Sequence, residues 1–185
     1  YDQPSFMCEI LEIIAVWNRG RMEVVLDAGI DLYIKRAWYE NCDFWTPRTW
    51  KEFIYPHLKA DVDMAHERHV LFGYIITSAC MPLLEMFADS GIDVLIGVDP
   101  EEWDLPVAKQ KVGGKVCLWG GVNGHLTVEQ GSLDAVRAAV RRAMKELARG
   151  GGFILSPADN VRQDTPRARK NVATLIDEWR QLTGQ

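Results

Sequence analysis

"HVLFGYIITSACMPLLEMFADSGIDVLIGVDP", residues 69–100, decides the fold. It opens on an apolar, aromatic-rich run, "HVLFGYIIT" from His69, and closes on a second, "IDVLIGV" from Ile92. Between them lies "PLLEMFADSG". Pro82 suits a first helical turn, where its missing N–H would have had no partner and its φ is already set. Gly91 suits the helix end, because only glycine takes the left-handed closing conformation without a Cβ penalty. Two short, nearly continuous apolar runs joined by one helix read as parallel strands buried on both faces, with a crossover helix between them.

The same alternation extends in both directions. Strands are predicted in "GIDLYIKRAW" from Gly29, "KVCLWGGV" from Lys115 and "GFILS" from Gly152, which makes five. Pro4 opens a first helix whose Phe6, Met7, Ile10, Ile13, Ile14 and Trp17 keep the three-and-four spacing of one apolar face. Thr46 and Pro47 make a cap and first-turn pair for the next helix, which Pro56 should kink. Ser132 caps a helix carrying Val136, Ala139, Val140, Ala143, Met144 and Leu147, ending at Gly150. A last stripe, Val172, Leu175, Ile176, Trp179 and Leu182, closes before Gly184. Strand-helix alternation of this kind specifies an α/β fold around a parallel sheet.

"GGGFILSPADN", residues 150–160, has the glycine content of a phosphate cradle but the wrong order. A cradle places its glycines after a strand and before a helix. Here they follow a helix and precede a strand, so they are read as the turn that brings the chain back into the sheet.

A length of 185 residues with 48% apolar content is enough to bury a core, and one domain is expected. A formal charge of -5 leaves no basic excess to neutralise a phosphate backbone, which argues against nucleic acid as a partner. The most apolar stretch is broken by Pro82 and Glu85, so no membrane span is expected. Cys8, Cys42, Cys80 and Cys117 form no C-x-x-C pair and read as free thiols of a reducing cytoplasm.

Four stretches together, "FWTPRTWKEFIYPHL", "FGYIITSACMPLLEMFADSGIDVLIGVDP", "LWGGVNGHLT" and "GGGFILSPADN", resemble the uroporphyrinogen decarboxylase superfamily. That superfamily holds the decarboxylase and cobalamin-dependent methyltransferases on one (β/α)8 barrel. The resemblance, from Pro4 to Leu182, implies the C-terminal five βα units, strands four to eight, of a TIM barrel that is incomplete as a single chain. A closed barrel takes ~250 residues. The chain is therefore expected to be a fragment lacking an N-terminal segment, or to complete itself through another chain as a homo-oligomer. Two unpaired strand edges and an open apolar interior should follow.

Such barrels place their active sites at the carboxyl ends of the strands. Those positions hold Lys35, Arg36, Trp38, Tyr39 and Glu40; then Thr77, Ser78 and Cys80; then Asp99; then Asn123 and His125; and finally Ser156, Asp159 and Asn160. Glu40 with Tyr39 reads as a general acid and its orienting hydroxyl, or as a solvated loop whose aromatics cap the barrel. His125 reads as a proton shuttle or a solvated loop histidine. Asp159 reads as a catalytic carboxylate, or with Asn160 as a turn before the last helix. Arg36, Trp38, Thr77, Ser78, Asn123 and Asn160 are the expected substrate contacts, with at most one of Lys35 and Arg36 pointing inward. Arg137, Arg141, Arg142 and Lys145 read as a solvated helix face.

The methyltransferase branch implies a zinc site built from His-x-Cys and a later Cys. Those positions fall on Ile75, Thr77 and Asp159, and a shifted register brings in Cys80, with His125 or Cys42 as further candidates. Cys80 and Asp159 are thus the metal candidates, and the missing His-x-Cys disfavours zinc. His66 and His69 have a spacing that could hold a metal, or lie on a surface face. In the decarboxylase branch a Ser and a His fall near Lys35 or Arg36 and on Asp159, and neither matches. The resemblance implies methyl transfer on a small molecule with a corrinoid protein as partner. The decarboxylase of tetrapyrrole biosynthesis, or a non-catalytic tetrapyrrole-binding or assembly subunit, stands as the alternative.

Overall fold

The computed structural model describes residues 2–184. Five parallel strands form one sheet in sequential order: β1 (Leu32–Arg36), β2 (Leu71–Ile75), β3 (Val94–Val98), β4 (Cys117–Val122) and β5 (Phe153–Pro157). The first four lie inside their predicted runs and are shorter than them, while β5 keeps the predicted length but runs one residue later, starting at Phe153 and ending at Pro157. This is the architecture of part of a (β/α)8 barrel. Strands β1 and β5 pair on one side only, as an open sheet requires.

Helix α1 (Pro4–Leu26) precedes β1, and α2 (Pro47–Phe53) and α3 (Tyr55–Glu67) follow it. Pro56 does more than kink this stretch: the helix ends at Ile54 and a second one starts with the proline in its first turn. Thr46 caps α2 as predicted, its hydroxyl accepting from the Thr49 N–H at 3.2 Å. A short 3-10 turn at Pro82 leads into α4 (Leu84–Ser90), which Gly91 ends in the left-handed conformation. Helix α5 (Leu105–Val112) joins β3 to β4 and is not among the predicted helices; the Asp104 carboxylate caps it. Helix α6 (Leu133–Leu147) leads to β5, and α7 (Pro166–Thr183) closes the chain. Between α6 and β5, Gly150, Gly151 and Gly152 hold φ of 80°, 79° and 64°. Three consecutive left-handed residues are a conformation that side chains with a Cβ resist, so the glycines are there to turn the chain.

Alternation sorts the strand residues to two faces. Phe72 and Tyr74 of β2 point among the helices, where Tyr74 meets Phe87 of α4 (centroids 5.4 Å) and Phe87 meets Trp50 of α2 (5.3 Å). All four rings are buried, and with Leu58, Leu83, Leu95 and Leu105 they form the main core between sheet and helices. A smaller cluster, Val122, Val128, Val136, Val140 and Leu175, seats α6 and α7 on the β4 and β5 side. On the opposite face Gly73 sits between Ile34 and Ile96. There Ile34, Leu71 and Ile154 remain 40%, 50% and 41% exposed, so the barrel-interior face is apolar and open.

Two expectations about helix faces change. On α1, Phe6, Met7, Ile13, Ile14 and Trp17 are exposed; the helix instead buries Ala15, Met22 and Leu26. The α6 basic set is not wholly solvated. Arg141 binds the buried Glu178 of α7 at 2.6 Å, with Arg137 at 3.9 Å from the same carboxylate, which ties the two helices together.

Candidate active site

The residues after β1 divide between two places. Lys35 and Arg36 take opposite faces, as alternation requires. The Lys35 ammonium turns among the helices, donating to Asp61 of α3 at 3.1 Å and lying 3.5 Å from Glu40. Burial alone would push its pKa down, but Glu40 and Asp61 outweigh burial and raise it, so Lys35 stays charged. Arg36 is exposed with its guanidinium 5.2 Å over the Trp38 ring, a cation–π contact at the strand end.

Glu40 does not take its orienting hydroxyl from Tyr39. Tyr39 is exposed and packs edge-on against Phe44, whereas the hydroxyl that reaches Glu40 is that of Tyr74, at 2.5 Å. Burial, then the Glu40 carboxylate, push the Tyr74 pKa well above the ordinary phenol range, so it remains a donor. Residues 39 and 40 are adjacent in sequence, but Tyr74 lies on the helix-facing row of β2 and the loop after β1 folds over it. Glu40 thus belongs with Lys35, Asp61 and Tyr74 to a polar network beside a cavity of about 430 Å³ between α1, β1 and α3. Asp61 is buried there, and its Oδ1 makes no hydrogen bond among the described residues.

The β2 end contributes less chemistry than its residue types suggest. The Thr77 carbonyl accepts from Trp103 Nε1 at 3.2 Å, and the Ser78 hydroxyl accepts from Asn41 at 3.0 Å. Cys80 is fully buried; burial first, and the nearby Cys42 second, push its thiol far up, which keeps it protonated.

The β3, β4 and β5 ends converge. The pairing register shifts between Ile96 and Val98, which re-aims the end of β3 next to β4. Asp99 follows, and both its oxygens accept from the Asn123 amide, at 3.1 and 2.8 Å. The Asn123 side-chain oxygen Oδ1 accepts from the Leu126 N–H at 2.6 Å, starting a turn of π-helix over Gly124–Glu129. His125 is therefore on a turn of helix rather than a loose loop. Its Nδ1 lies 2.9 Å from the Glu129 carboxylate, and its Nε2 lies 2.9 Å from the Gln130 amide. Gly124 packs under the β5 loop: a Cβ there would stand 2.7 Å from the Asp159 carbonyl oxygen.

On that loop the Asp159 carboxylate binds Arg162 at 2.7 Å and accepts from the Asn160 backbone N–H at 2.7 Å, while the Ser156 hydroxyl donates to the Pro157 carbonyl. Asn160 is exposed. The cap of the last helix is Thr165, whose hydroxyl oxygen accepts from the Ala168 N–H at 3.1 Å, so Asp159 is not needed for that role.

The metal candidates do not assemble. Among the described residues no three His, Cys, Asp or Glu side chains are placed to share an ion. Cys80 is a buried protonated thiol, Asp159 is engaged by Arg162, and His125 is engaged by Glu129. This donor set does not fit a thiolate-rich zinc site. His66 hydrogen-bonds Asp93 at 2.8 Å and His57 lies 3.8 Å from Glu12, so the α3 histidines are used in local pairs. No described helix is long and apolar enough to cross a membrane.

A family model described as uroporphyrinogen decarboxylase (URO-D) matches residues 1–182. A uroporphyrinogen decarboxylase of Ralstonia nicotianae is 38% identical over 192 aligned positions, covering 96% of this chain and 48% of the relative. One from Legionella pneumophila is 27% identical over 143 positions, covering 76% of this chain and 38% of the relative. The chain thus spans about half the length of the first curated relatives it matches. Among solved structures, a methyltransferase from Methanosarcina mazei superposes with a TM-score of 0.70 over 85% of this chain and 44% of its own, at 22% identity. That likeness establishes a shared fold.

Proposed function

The chain belongs to the uroporphyrinogen decarboxylase family, and on that premise we propose that it supplies the strand-end residues of an enzyme that decarboxylates a small acidic molecule, with a porphyrinogen as substrate class. The observation that carries this reading is the character of the converging β3, β4 and β5 ends. They offer two groups able to hold and move protons, His125 and Asp99, whereas the exposed thiol, Cys8, lies on α1.

Decarboxylation breaks a carbon–carbon bond, releases CO2 and replaces it with a proton on the carbon that keeps the electron pair. The chemistry needs a cation to seat the carboxylates and a group that delivers the proton. Arg36, at the end of β1 and stacked on Trp38, suits the first need. His125, exposed and held by Glu129, suits the second. Asp99, with its carboxylate aimed by Asn123, suits the binding of polarised N–H groups on the substrate.

The test is incubation of the protein carrying this chain with uroporphyrinogen under reducing conditions, following CO2 release. Release of CO2 with formation of a decarboxylated porphyrinogen supports the proposal. Methyl transfer from methylcobalamin with no CO2 release would replace it with the corrinoid-partner reaction that the sequence resemblance implies. Porphyrin binding seen by tryptophan fluorescence, without turnover, would replace it with a non-catalytic tetrapyrrole-binding role.

A further inference from the structure

Glu129 is an acidic residue buried at the mouth of the sheet. Its side chain is 2% exposed, while the His125 side chain beside it is 58% exposed. A buried carboxylate persists only when its oxygens are satisfied, and here they are. One oxygen faces His125 Nδ1 at 2.9 Å, and the other accepts from the backbone N–H groups of Arg162 and Gln163. The His125 hydrogen bond first, and the Arg162 N–H next, hold the Glu129 carboxyl below its ordinary range. It is an anion that joins the π-turn after β4 to the loop after β5.

An ionised carboxylate only accepts, so the nitrogen facing it must carry the proton. That places hydrogen on Nδ1 of His125 and leaves the Nε2 lone pair of the neutral ring pointing outward. The Gln130 amide at 2.9 Å meets either state of Nε2: its NH2 donates to the bare nitrogen, and its carbonyl oxygen, after an amide flip, accepts from a protonated one. The ring can gain or lose a proton at Nε2 without losing a partner.

We infer that Glu129 is a positioning residue that fixes His125 as the Nδ1-protonated tautomer and presents Nε2 at the mouth as the nitrogen that takes and returns a proton. This rests on the reading of the mouth as the reacting site, and it assigns the proton-transferring atom there. Carboxylate–imidazole pairs of this geometry set ring orientation and make the outer nitrogen more basic.

Two measurements test it, neither requiring a substrate. Long-range proton–nitrogen correlation spectra of the 15N-labelled protein, recorded above the histidine titration, should show His125 Nδ1 protonated and Nε2 bare. In Glu129→Gln, whose amide oxygen can still serve the two backbone N–H groups, the tautomer ratio should move toward protonated Nε2. A protonated Nε2 in the unaltered protein, or an unchanged ratio in folded Glu129→Gln, overturns the inference.

The second is acylation by diethyl pyrocarbonate at pH 8, read at His125 by peptide mass spectrometry. The rate at His125 should fall about tenfold in Glu129→Gln, in line with the loss of a carboxylate behind an imidazole, while His57 and His69 keep theirs. An equal rate at His125 also overturns it. Since no turnover enters either readout, failure here leaves the proposed reaction standing, and absence of decarboxylation with both results positive removes the reaction and leaves the pair.

Discussion

The Tyr74 hydroxyl donates to the Glu40 carboxylate across 2.5 Å, joining the helix-facing row of β2 to the loop after β1. Tyr74 is fully buried, so its hydroxyl has no water to turn to. Tyr74→Phe keeps the ring against Phe87 and removes only this donor. It should lower unfolding stability by about 1–3 kcal/mol, the usual cost of leaving a partly buried acceptor without its partner. Urea denaturation followed by far-UV circular dichroism measures this; an unchanged midpoint would mean that Glu40 is satisfied elsewhere.

Lys35 stands between Glu40 and Asp61, and Asp61 Oδ1 has no hydrogen bond among the described residues. Lys35→Met keeps most of the side-chain volume and leaves the buried Asp61 carboxylate with only the longer Arg19 contact, at 3.9 Å. Breaking one partner of a buried pair costs about 3 kcal/mol or more. The double variant with Asp61→Asn should recover part of that loss, and the same urea titrations check both.

Gly124 is fixed by a contact rather than by its own φ. A Cβ there would stand 2.7 Å from the Asp159 carbonyl oxygen, closer than real Cβ atoms come to backbone. Gly124→Ala should therefore push the π-turn and the β5 loop apart and cost about 1–3 kcal/mol. Amide exchange at residues 124–130 and 159–163 should rise together, while the β2 and β3 strands stay protected.

Glu129 gives a pH dependence of known sign. Its folded pKa lies below the ordinary 4.5, chiefly through the His125 hydrogen bond. A depressed carboxyl contributes stability that is fully present above its unfolded pKa and lost as pH falls through the folded one. The stability difference between the unaltered protein and Glu129→Gln should shrink as pH falls below 4.5. Denaturation midpoints below pH 4.5 test it; a gap that widens there would reverse the sign.

The strands were legible because a buried parallel strand writes itself as an apolar run, and all five did. Helix α5 was not: in its eight residues, Leu105–Val112, the buried Leu105, Ala108 and Val112 make too short a stripe to stand out beside Lys109, Gln110 and Lys111. The α1 stripe was legible as a helix, but not its exposure, since periodicity states which face is apolar and not what lies against it. Site partners were hardest. Glu40 and Tyr74 are 34 residues apart, and only the fold of the β1 loop brings them together. The His125–Glu129 pair did leave a signal, the i, i+4 spacing on one helical face. The glycines before His125 point to a loop, and the residue type of Asn123 suits a substrate contact as well as the cap that starts the turn.

Under the proposed function, proton transfer at the converging β3, β4 and β5 ends drives decarboxylation. The most direct measurement is CO2 release from uroporphyrinogen by the protein carrying His125→Gln, beside the unaltered protein, with circular dichroism and melting matched. In the variant kcat should fall by about 100-fold or more, the usual contribution of a positioned acid–base group, with KM little changed. An unaltered kcat in the folded variant would contradict it.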